Sequence, residues 1–208
     1  MSETTQHITQ IIHAIIQKKP KTKGEFDDIR RKECSALHIS QPSNRAILGV
    51  YKKLVKDKKV VQNRALEQLC MKAGIRSTSG IAVITSLVKP YACPGKCVYC
   101  PTEVRMPKSY IASEPAAARS LKLDFNPYLL MQKRIEMLEK NGHPVDKIEY
   151  ITKGGTWNAY TLKYQYWYIM ESFNACNNLT RRKEIPPTKE LYWEKRPLEE
   201  LTQRIEKE

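Results

Sequence analysis

The first third of the chain places apolar residues at the spacing of amphipathic helices. Four isoleucines near the start follow the i, i+3, i+4, i+7 pattern of one helical face: Ile8, Ile11, Ile12 and Ile15. That pattern predicts a helix over residues 4–18. Similar stretches, bounded by helix-start residues or by glycine, predict helices over about 25–37, 45–55 and 63–72. Residues 1–79 are therefore predicted to form a small helical module.

Gly80 marks a change from helical to strand-like patterning. Residues 81–88 form a short, β-branched apolar run bounded by glycine and proline, which predicts a buried strand. Helices are predicted over about 116–123 and 127–140, and a second strand over 147–153. This order of strand, helix and strand predicts an α/β fold that opens as a βα barrel.

Beyond residue 160 the pattern becomes helical again. Aromatic residues at helical spacing predict a helix that buries them in a core: Tyr164, Trp167, Tyr168 and Phe173. A proline pair, Pro186-Pro187, then interrupts the pattern, and a final helix is predicted from about Pro197. Residues 80–208 are therefore assigned to a second domain.

Three cysteines lie close together in the loop after the first predicted strand. Cys93, Cys97 and Cys100 have CxxxCxxC spacing, and thiolates are the usual ligands of iron–sulfur clusters and structural zinc. No fourth cysteine or histidine lies nearby in the sequence, whereas a structural zinc site is normally closed by four ligands. The sequence therefore favours a 4Fe–4S cluster with one open iron, which can hold a substrate or cofactor. Structural zinc, or three thiols merely packed in a turn, are the alternatives.

A glycine pair follows the second predicted strand, in the segment Gly154-Gly155-Thr156. In βα barrels the sites lie at the carboxyl ends of the strands, so this segment and the thiol loop are expected to meet. Glycine lets the backbone approach a ligand closely. Alone, such a segment is more often a turn than a site, but one strand after a thiol loop it becomes a stronger candidate.

The net charge of +14 is concentrated near the amino terminus. Residues 1–80 hold 16 Lys and Arg against 7 Asp and Glu, which accounts for +9. This excess predicts a polyphosphate partner, with a solvated basic face as the alternative. No apolar run is long enough to span a bilayer, and the amino terminus lacks a signal peptide's charged and apolar regions. We therefore expect a cytoplasmic protein with reduced thiols and no membrane partner.

The thiol loop and the glycine pair carry a family resemblance. CxxxCxxC with Tyr99 before its last cysteine resembles the signature of radical S-adenosylmethionine enzymes, and Gly154-Gly155-Thr156 is similar to their second-strand motif for the methionine amino group. Further segments resemble one branch, the tRNA uridine carboxymethyltransferases that include the catalytic subunit of Elongator: Ser79-Gly-Ile-Ala-Val, Lys89-Pro90, Lys108-Ser-Tyr110, Glu114-Pro-Ala-Ala, Asp124-Phe-Asn-Pro127 and Gly142-His-Pro-Val-Asp-Lys147. The resemblance covers about residues 70–178, and the basic helices before them resemble the family's tRNA-binding part.

The resemblance implies a chemistry and a role for each motif. The three thiols would bind three irons of a 4Fe–4S cluster, and S-adenosylmethionine would chelate the fourth beside Gly154, Gly155 and Thr156. Reduction by an electron donor would release a 5′-deoxyadenosyl radical, which abstracts hydrogen from the methyl group of acetyl-CoA. The resulting carbon radical would add to C5 of the wobble uridine of tRNA, and thioester hydrolysis would leave a carboxymethyl group. Lys147 matches a family lysine associated with acetyl-CoA binding, although a solvated lysine at a strand start is the alternative.

The chain also departs from the family. The acetyltransferase-like domain that holds acetyl-CoA has no counterpart here, and the last predicted helix ends where the family continues into a third strand. The sequence therefore predicts a fragment of the enzyme with the first two βα units of a partial barrel, which is not expected to be active alone. No catalytic side chain is assigned, and a second copy of the chain is a candidate partner beside tRNA.

Two other functional classes fit the same residues. One is a basic RNA-binding module whose thiol loop holds a structural zinc or a closed iron–sulfur cluster. The other is a radical S-adenosylmethionine enzyme with a different substrate, because the thiol motif specifies how the radical is made and leaves its target open.

Overall fold

The computed structural model describes residues 3–181 and 197–207, so the proline pair at 186–187 lies outside the described residues. The chain divides into two compact units. Unit 1 comprises the residues up to Ala82 together with Met137–Lys147, and unit 2 comprises Val83–Glu136 and the described residues from Ile148 onward. The segment Met137–Lys147, which the sequence-based division assigned to the second domain, thus belongs to the first compact unit.

Unit 1 is built from helices that match the predicted apolar pattern. They are α1 (Glu3–Lys18), α2 (Lys23–Ala36), α3 (Asn44–Lys56) and α4 (Arg64–Cys70). Side-chain oxygens cap three of them: Thr22, Ser43 and Asn63 accept hydrogen bonds from the amides of Glu25, Ala46 and Leu66, each at 3.2 Å. All four isoleucines of the predicted stripe are buried, which confirms the amphipathic interpretation of α1.

Helix α4 ends earlier than its pattern predicted. It stops at Cys70 rather than near residue 72, because Met71 is extended and Ala73 has a φ of 53°, in the left-handed region that interrupts a right-handed helix. A short 3-10 turn, Gly74–Ser77, follows it. His143 is buried in this unit, with its Nδ1 2.8 Å from the Ser77 hydroxyl oxygen.

The remaining elements alternate strands and helices. They are β1 (Ala82–Leu87), α5 (Pro115–Lys122), α6 (Pro127–Lys140), β2 (Ile148–Lys153), α7 (Leu162–Arg181) and α8 (Leu198–Lys207). Pro115 occupies the first position of α5, where its missing N–H costs no helical hydrogen bond. The division between units falls within α6, after Glu136.

A two-stranded sheet confirms the predicted α/β class. Strands β1 and β2 pair in parallel, since the amides of Ala82 and Val88 bond to the carbonyls of Lys147 and Lys153, at 2.8 Å and 3.0 Å. Among the described residues the sheet has only these two strands, so the radical S-adenosylmethionine barrel stays a prediction. Strand β1 is mostly buried, as predicted, although Val83 is 41% exposed.

Helix α7 carries the aromatic core of unit 2. Tyr164, Trp167 and Tyr168 are buried as predicted, and the Tyr168 hydroxyl donates a 2.9 Å hydrogen bond to Ser86 of β1. Phe173 is instead 39% exposed. It lies five residues after Tyr168, and at about 100° per residue this turns it roughly 140° away from the buried face.

Within the described ranges, no helix combines the length and the apolar character needed to cross a membrane.

Candidate functional site

The thiol loop and the glycine pair meet at one cavity in unit 2. The loop follows β1 and the Gly-Gly-Thr segment follows β2, so the parallel strands bring both to the same edge of the sheet. The cavity has a volume of about 460 Å³. Its walls include six of the seven residues that the sequence and the family resemblance proposed as ligands or cofactor contacts: Cys93, Cys97, Cys100, Gly154, Gly155 and Thr156.

Two tyrosines fix the backbone where β1 leads into the thiol loop. The Tyr160 hydroxyl donates a 2.6 Å hydrogen bond to the Lys89 carbonyl, and the Lys89 amide donates a 3.1 Å bond to the Tyr164 hydroxyl oxygen. The Lys89 ammonium also lies 4.8 Å from the centre of the Tyr164 ring, a cation–π contact. Burial raises the pKa of Tyr160 to about 12.

Gly154 has no room for a side chain. A Cβ atom at this position would overlap Cγ2 of Val88, a buried residue directly after β1. The absence of a side chain therefore lets the chain after β2 pass close against the end of β1.

The other two glycines of the site face the thiols. A Cβ at Gly155 would lie 3.5 Å from Lys108 Cβ and 3.9 Å from Cys93 Cβ, in ordinary contact. A Cβ at Gly95 would lie 3.5 Å from the Cys93 sulfur and 3.6 Å from the Cys97 sulfur. The two sulfurs are thus separated by no more than the sum of those distances, 7.1 Å.

Hydroxyl groups contact two of the three thiols. The Thr156 hydroxyl oxygen lies 3.2 Å from the Cys93 sulfur, and the Ser109 hydroxyl oxygen lies 3.3 Å from the Cys100 sulfur. The pKa of the Cys93 thiol is lowered, mainly by the hydrogen bond with Thr156, then by a bond with the backbone of Gly95 and, more weakly, by the charge of Lys108. These contacts stabilise the thiolate of Cys93 relative to its thiol, and the thiolate is the form that binds metal.

The donor set can be compared with what each metal centre requires. A single zinc ion needs all its sulfur ligands about 2.3 Å from one point. Among the residues the structure describes, no three His, Cys, Asp or Glu side chains form a group that could hold one metal ion. A cubane cluster binds each thiolate to a different iron, so its ligands do not converge on one ion. The three thiols around this glycine-lined cavity are therefore suitable ligands for a cubane iron–sulfur cluster.

Lys147 is not among the residues that line this cavity. Its side chain is exposed, and its carbonyl accepts the Ala82 amide hydrogen bond at the amino-terminal end of the strand pair. The glycine pair follows the opposite end of β2. A role for Lys147 in binding acetyl-CoA therefore stays a prediction.

The cavity also contains polar residues that the sequence did not identify as a group. Lys96, Thr102 and Ser109 line it, and Thr102 accepts a 2.7 Å hydrogen bond from the Lys108 ammonium. No pattern in the sequence indicates that Ser109 would face a thiol. Its presence in the family-like segment Lys108-Ser-Tyr110 is the only signal that could have singled it out.

The remaining cysteines lie outside this cavity. Cys34 and Cys70 are buried, as expected of small apolar residues, and Cys176 is half-buried. Arg105, which follows the thiol loop, forms a 2.8 Å ion pair with Glu103.

Comparison with known proteins gives the family. A tRNA uridine(34) acetyltransferase from Methanocaldococcus jannaschii is 38% identical over 192 residues, which are 86% of this chain and 34% of that protein. One from Methanocaldococcus infernus is 37% identical over 179 residues, or 82% of this chain and 32% of that protein. Elongator complex protein 3 from Bos taurus is 37% identical over 117 residues, or 51% of this chain and 21% of that protein.

No protein-family model matches the chain. The chain spans about one third of the length of the two archaeal relatives. From these similarities, the chain belongs to the family of the tRNA uridine(34) acetyltransferases and Elongator complex protein 3.

Proposed function

We propose that this chain is the cluster-binding and tRNA-binding part of an enzyme that modifies the wobble uridine of tRNA. Its relatives are named for acetyl transfer to tRNA uridine(34). The observation that carries the proposal is the cavity in which three thiols meet the Gly-Gly-Thr segment, at the carboxyl ends of two parallel strands. Reduced thiols and an RNA substrate fit a cytoplasmic setting.

The thiolates of Cys93, Cys97 and Cys100 would hold a 4Fe–4S cluster, with the fourth iron left for S-adenosylmethionine. When bound, the cluster and S-adenosylmethionine supply a carbon-centred radical after reduction by an electron donor. Lys96 and Lys108 line the cavity, and their positive charges partly offset those of the thiolates.

The Gly-Gly-Thr segment would contact the cofactor. Gly154 brings the backbone against Val88, and Gly155 leaves open the space beside Lys108 and Cys93. Backbone groups that are exposed in this way can bind the amino group of S-adenosylmethionine. Larger residues at these two positions would cover the backbone with their side chains. Acetyl-CoA is the proposed co-substrate, in agreement with the acetyltransferase names of the relatives, and Lys147 is a proposed contact for one of its phosphates.

The helices of unit 1 would bind the tRNA. Exposed lysines are concentrated at the carboxyl end of α3 and in the turn that follows: Lys52, Lys53, Lys56, Lys58 and Lys59. Such a basic surface attracts the phosphate backbone independently of base sequence. Choice of the wobble uridine would then depend on the site where the chemistry occurs.

Metal analysis tests the cluster assignment. The chain is reconstituted anaerobically with iron and sulfide, and bound iron, acid-labile sulfide and zinc are measured for the wild type, for Cys97→Ala and for Cys176→Ala. Near-equal iron and sulfide in the wild type and in Cys176→Ala, with loss in Cys97→Ala, supports the proposal. Zinc without sulfide contradicts it and favours an RNA-binding module with a structural metal.

A further inference from the structure

Two of the three thiols have a hydroxyl partner, and both hydroxyls come from outside the CxxxCxxC motif. Thr156 lies 3.2 Å from Cys93 and Ser109 lies 3.3 Å from Cys100, measured from oxygen to sulfur. Cys97 is exposed, and within the described residues no hydroxyl group contacts its sulfur. The three thiols are therefore not equivalent.

The loop after Cys100 folds back in a way that holds Ser109 in place. The Ser109 amide donates a 3.4 Å hydrogen bond to the Pro101 carbonyl, and the Lys108 ammonium donates a 2.7 Å bond to Thr102. Residues 108–109 are thus bonded to the two residues that follow Cys100. Ser109 has a φ of 79°, a conformation that costs energy for a residue with a side chain and is kept only where surrounding contacts impose it.

Thr156 is held by the structure that follows β2. It precedes the 3-10 turn Trp157–Ala159, and its carbonyl accepts a 3.0 Å hydrogen bond from the Ala159 amide. Its hydroxyl oxygen lies 3.2 Å from the Cys93 sulfur, and both residues line the cavity. Both hydroxyls are therefore positioned by local backbone structure.

We propose that Ser109 and Thr156 are positioning residues that donate hydrogen bonds to the thiolates of Cys100 and Cys93 and raise the reduction potential of the bound cluster. The inference rests on the proposed function, because it requires a cluster at this site. A thiolate has no proton, so in the bound state each hydroxyl is the donor and the sulfur is the acceptor. Hydrogen bonds to the sulfur ligands are among the features that set iron–sulfur potentials.

The direction of the effect follows from charge. Reduction adds one electron, taken from a low-potential one-electron donor, and increases the negative charge on the cluster and its sulfurs. Hydrogen-bond donors stabilise the more negative state more strongly. Removing either hydroxyl should therefore make the midpoint potential more negative.

The test is a redox titration of the reconstituted chain, followed by electron paramagnetic resonance without S-adenosylmethionine, so that cofactor binding has no part in the result. Thr156→Val removes one hydroxyl with little change of shape, and Ser109→Ala removes the other. Thr156→Ser keeps the hydroxyl and is the matched control. Ser109→Gly also removes the hydroxyl, and glycine adopts the positive φ without strain.

We expect a more negative potential in Thr156→Val, Ser109→Ala and Ser109→Gly, a larger shift in the double variant, and the wild-type value in Thr156→Ser. Wild-type potentials in the three hydroxyl-free variants would overturn the inference while leaving the proposed function intact. A shift in only one of the two Ser109 variants would also overturn it, since backbone conformation would then be the cause. Failure of the wild-type chain to bind iron and sulfide would instead refute the proposed function.

Discussion

The Thr156 hydroxyl lies 3.2 Å from the sulfur of Cys93, although 63 residues separate them in the sequence. The two residues meet because β1 and β2 are parallel neighbours and each is followed at its carboxyl end by one of the two segments. A helical connection between the strands, rather than a hairpin, is what makes that parallel pairing possible. The candidate site is thus a consequence of the strand, helix, strand order.

Gly154 is expected to tolerate no side chain. Gly154→Ala would place a methyl group against the buried side chain of Val88, which has little freedom to move because it is β-branched. We predict a loss of about 1–3 kcal/mol in the free energy of unfolding, the usual cost of overpacking. Urea denaturation followed by tryptophan fluorescence measures it.

The matched control enlarges the space at the same contact. Val88→Ala removes the methyl group that a Cβ at residue 154 would overlap. The double variant Gly154→Ala with Val88→Ala should therefore lose less stability than the two single variants together. Strict additivity would show that the contact with Val88 is not the cause.

Unit 1 should lose stability in alkaline solution because of Cys70. Burial raises the pKa of this thiol from 9.0 to about 12. Between these values the unfolded chain releases the thiol proton while the folded chain retains it, so the free energy of unfolding falls as the pH rises above about 9. Urea denaturation followed by helical circular dichroism at pH 8 and pH 10 measures the change.

In Cys70→Ala the free energy of unfolding should fall less between pH 8 and pH 10 than in the wild type, whatever its value at pH 8. Cys97→Ala is the matched control, because this thiol is exposed in the folded chain. Its free energy of unfolding should fall by the same amount as that of the wild type. An equal fall in Cys70→Ala and the wild type would assign the pH dependence to other groups.

Binding of tRNA should depend on the basic end of α3. Lys53 and Lys56 are exposed in its last turn. Replacing both with glutamine should weaken tRNA binding and reduce by about two the slope of log affinity against log salt, if both contact phosphates. Filter binding at several salt concentrations gives both quantities.

The control carries the same change of charge elsewhere. Lys122 and Lys133 are exposed on α5 and α6 in unit 2. Their double replacement by glutamine should leave the salt slope closer to the wild-type value. Equal effects of the two pairs would indicate general attraction by net charge rather than a surface at α3.

Much of the fold followed from periodic patterns. The isoleucine spacing of α1 and the β-branched run of β1 are local signals, since a buried helical face or strand needs apolar residues at fixed intervals. Phe173 shows the limit of that reasoning: its aromatic character suggested the core, but its position around α7 turns it toward solvent.

The site was less accessible to sequence reasoning. The thiols and glycines stand out by residue type, whereas Ser109 contacts Cys100 from a backbone conformation of positive φ that no serine pattern reveals. Val88 likewise explains Gly154 through a contact between the ends of two strands. Such non-local contacts depend on the three-dimensional arrangement, and propensity alone does not predict them.

Whether the cluster keeps one iron open for S-adenosylmethionine is measured by electron paramagnetic resonance of the reduced, anaerobically reconstituted chain. Spectra are recorded with and without S-adenosylmethionine, for the wild type and for Cys97→Ala. We expect a reduced-cluster signal in the wild type that shifts when S-adenosylmethionine is added and is lost in Cys97→Ala. A cluster signal that is unchanged by S-adenosylmethionine, or that is retained in Cys97→Ala, would show that the three thiols do not hold a cluster with an open iron.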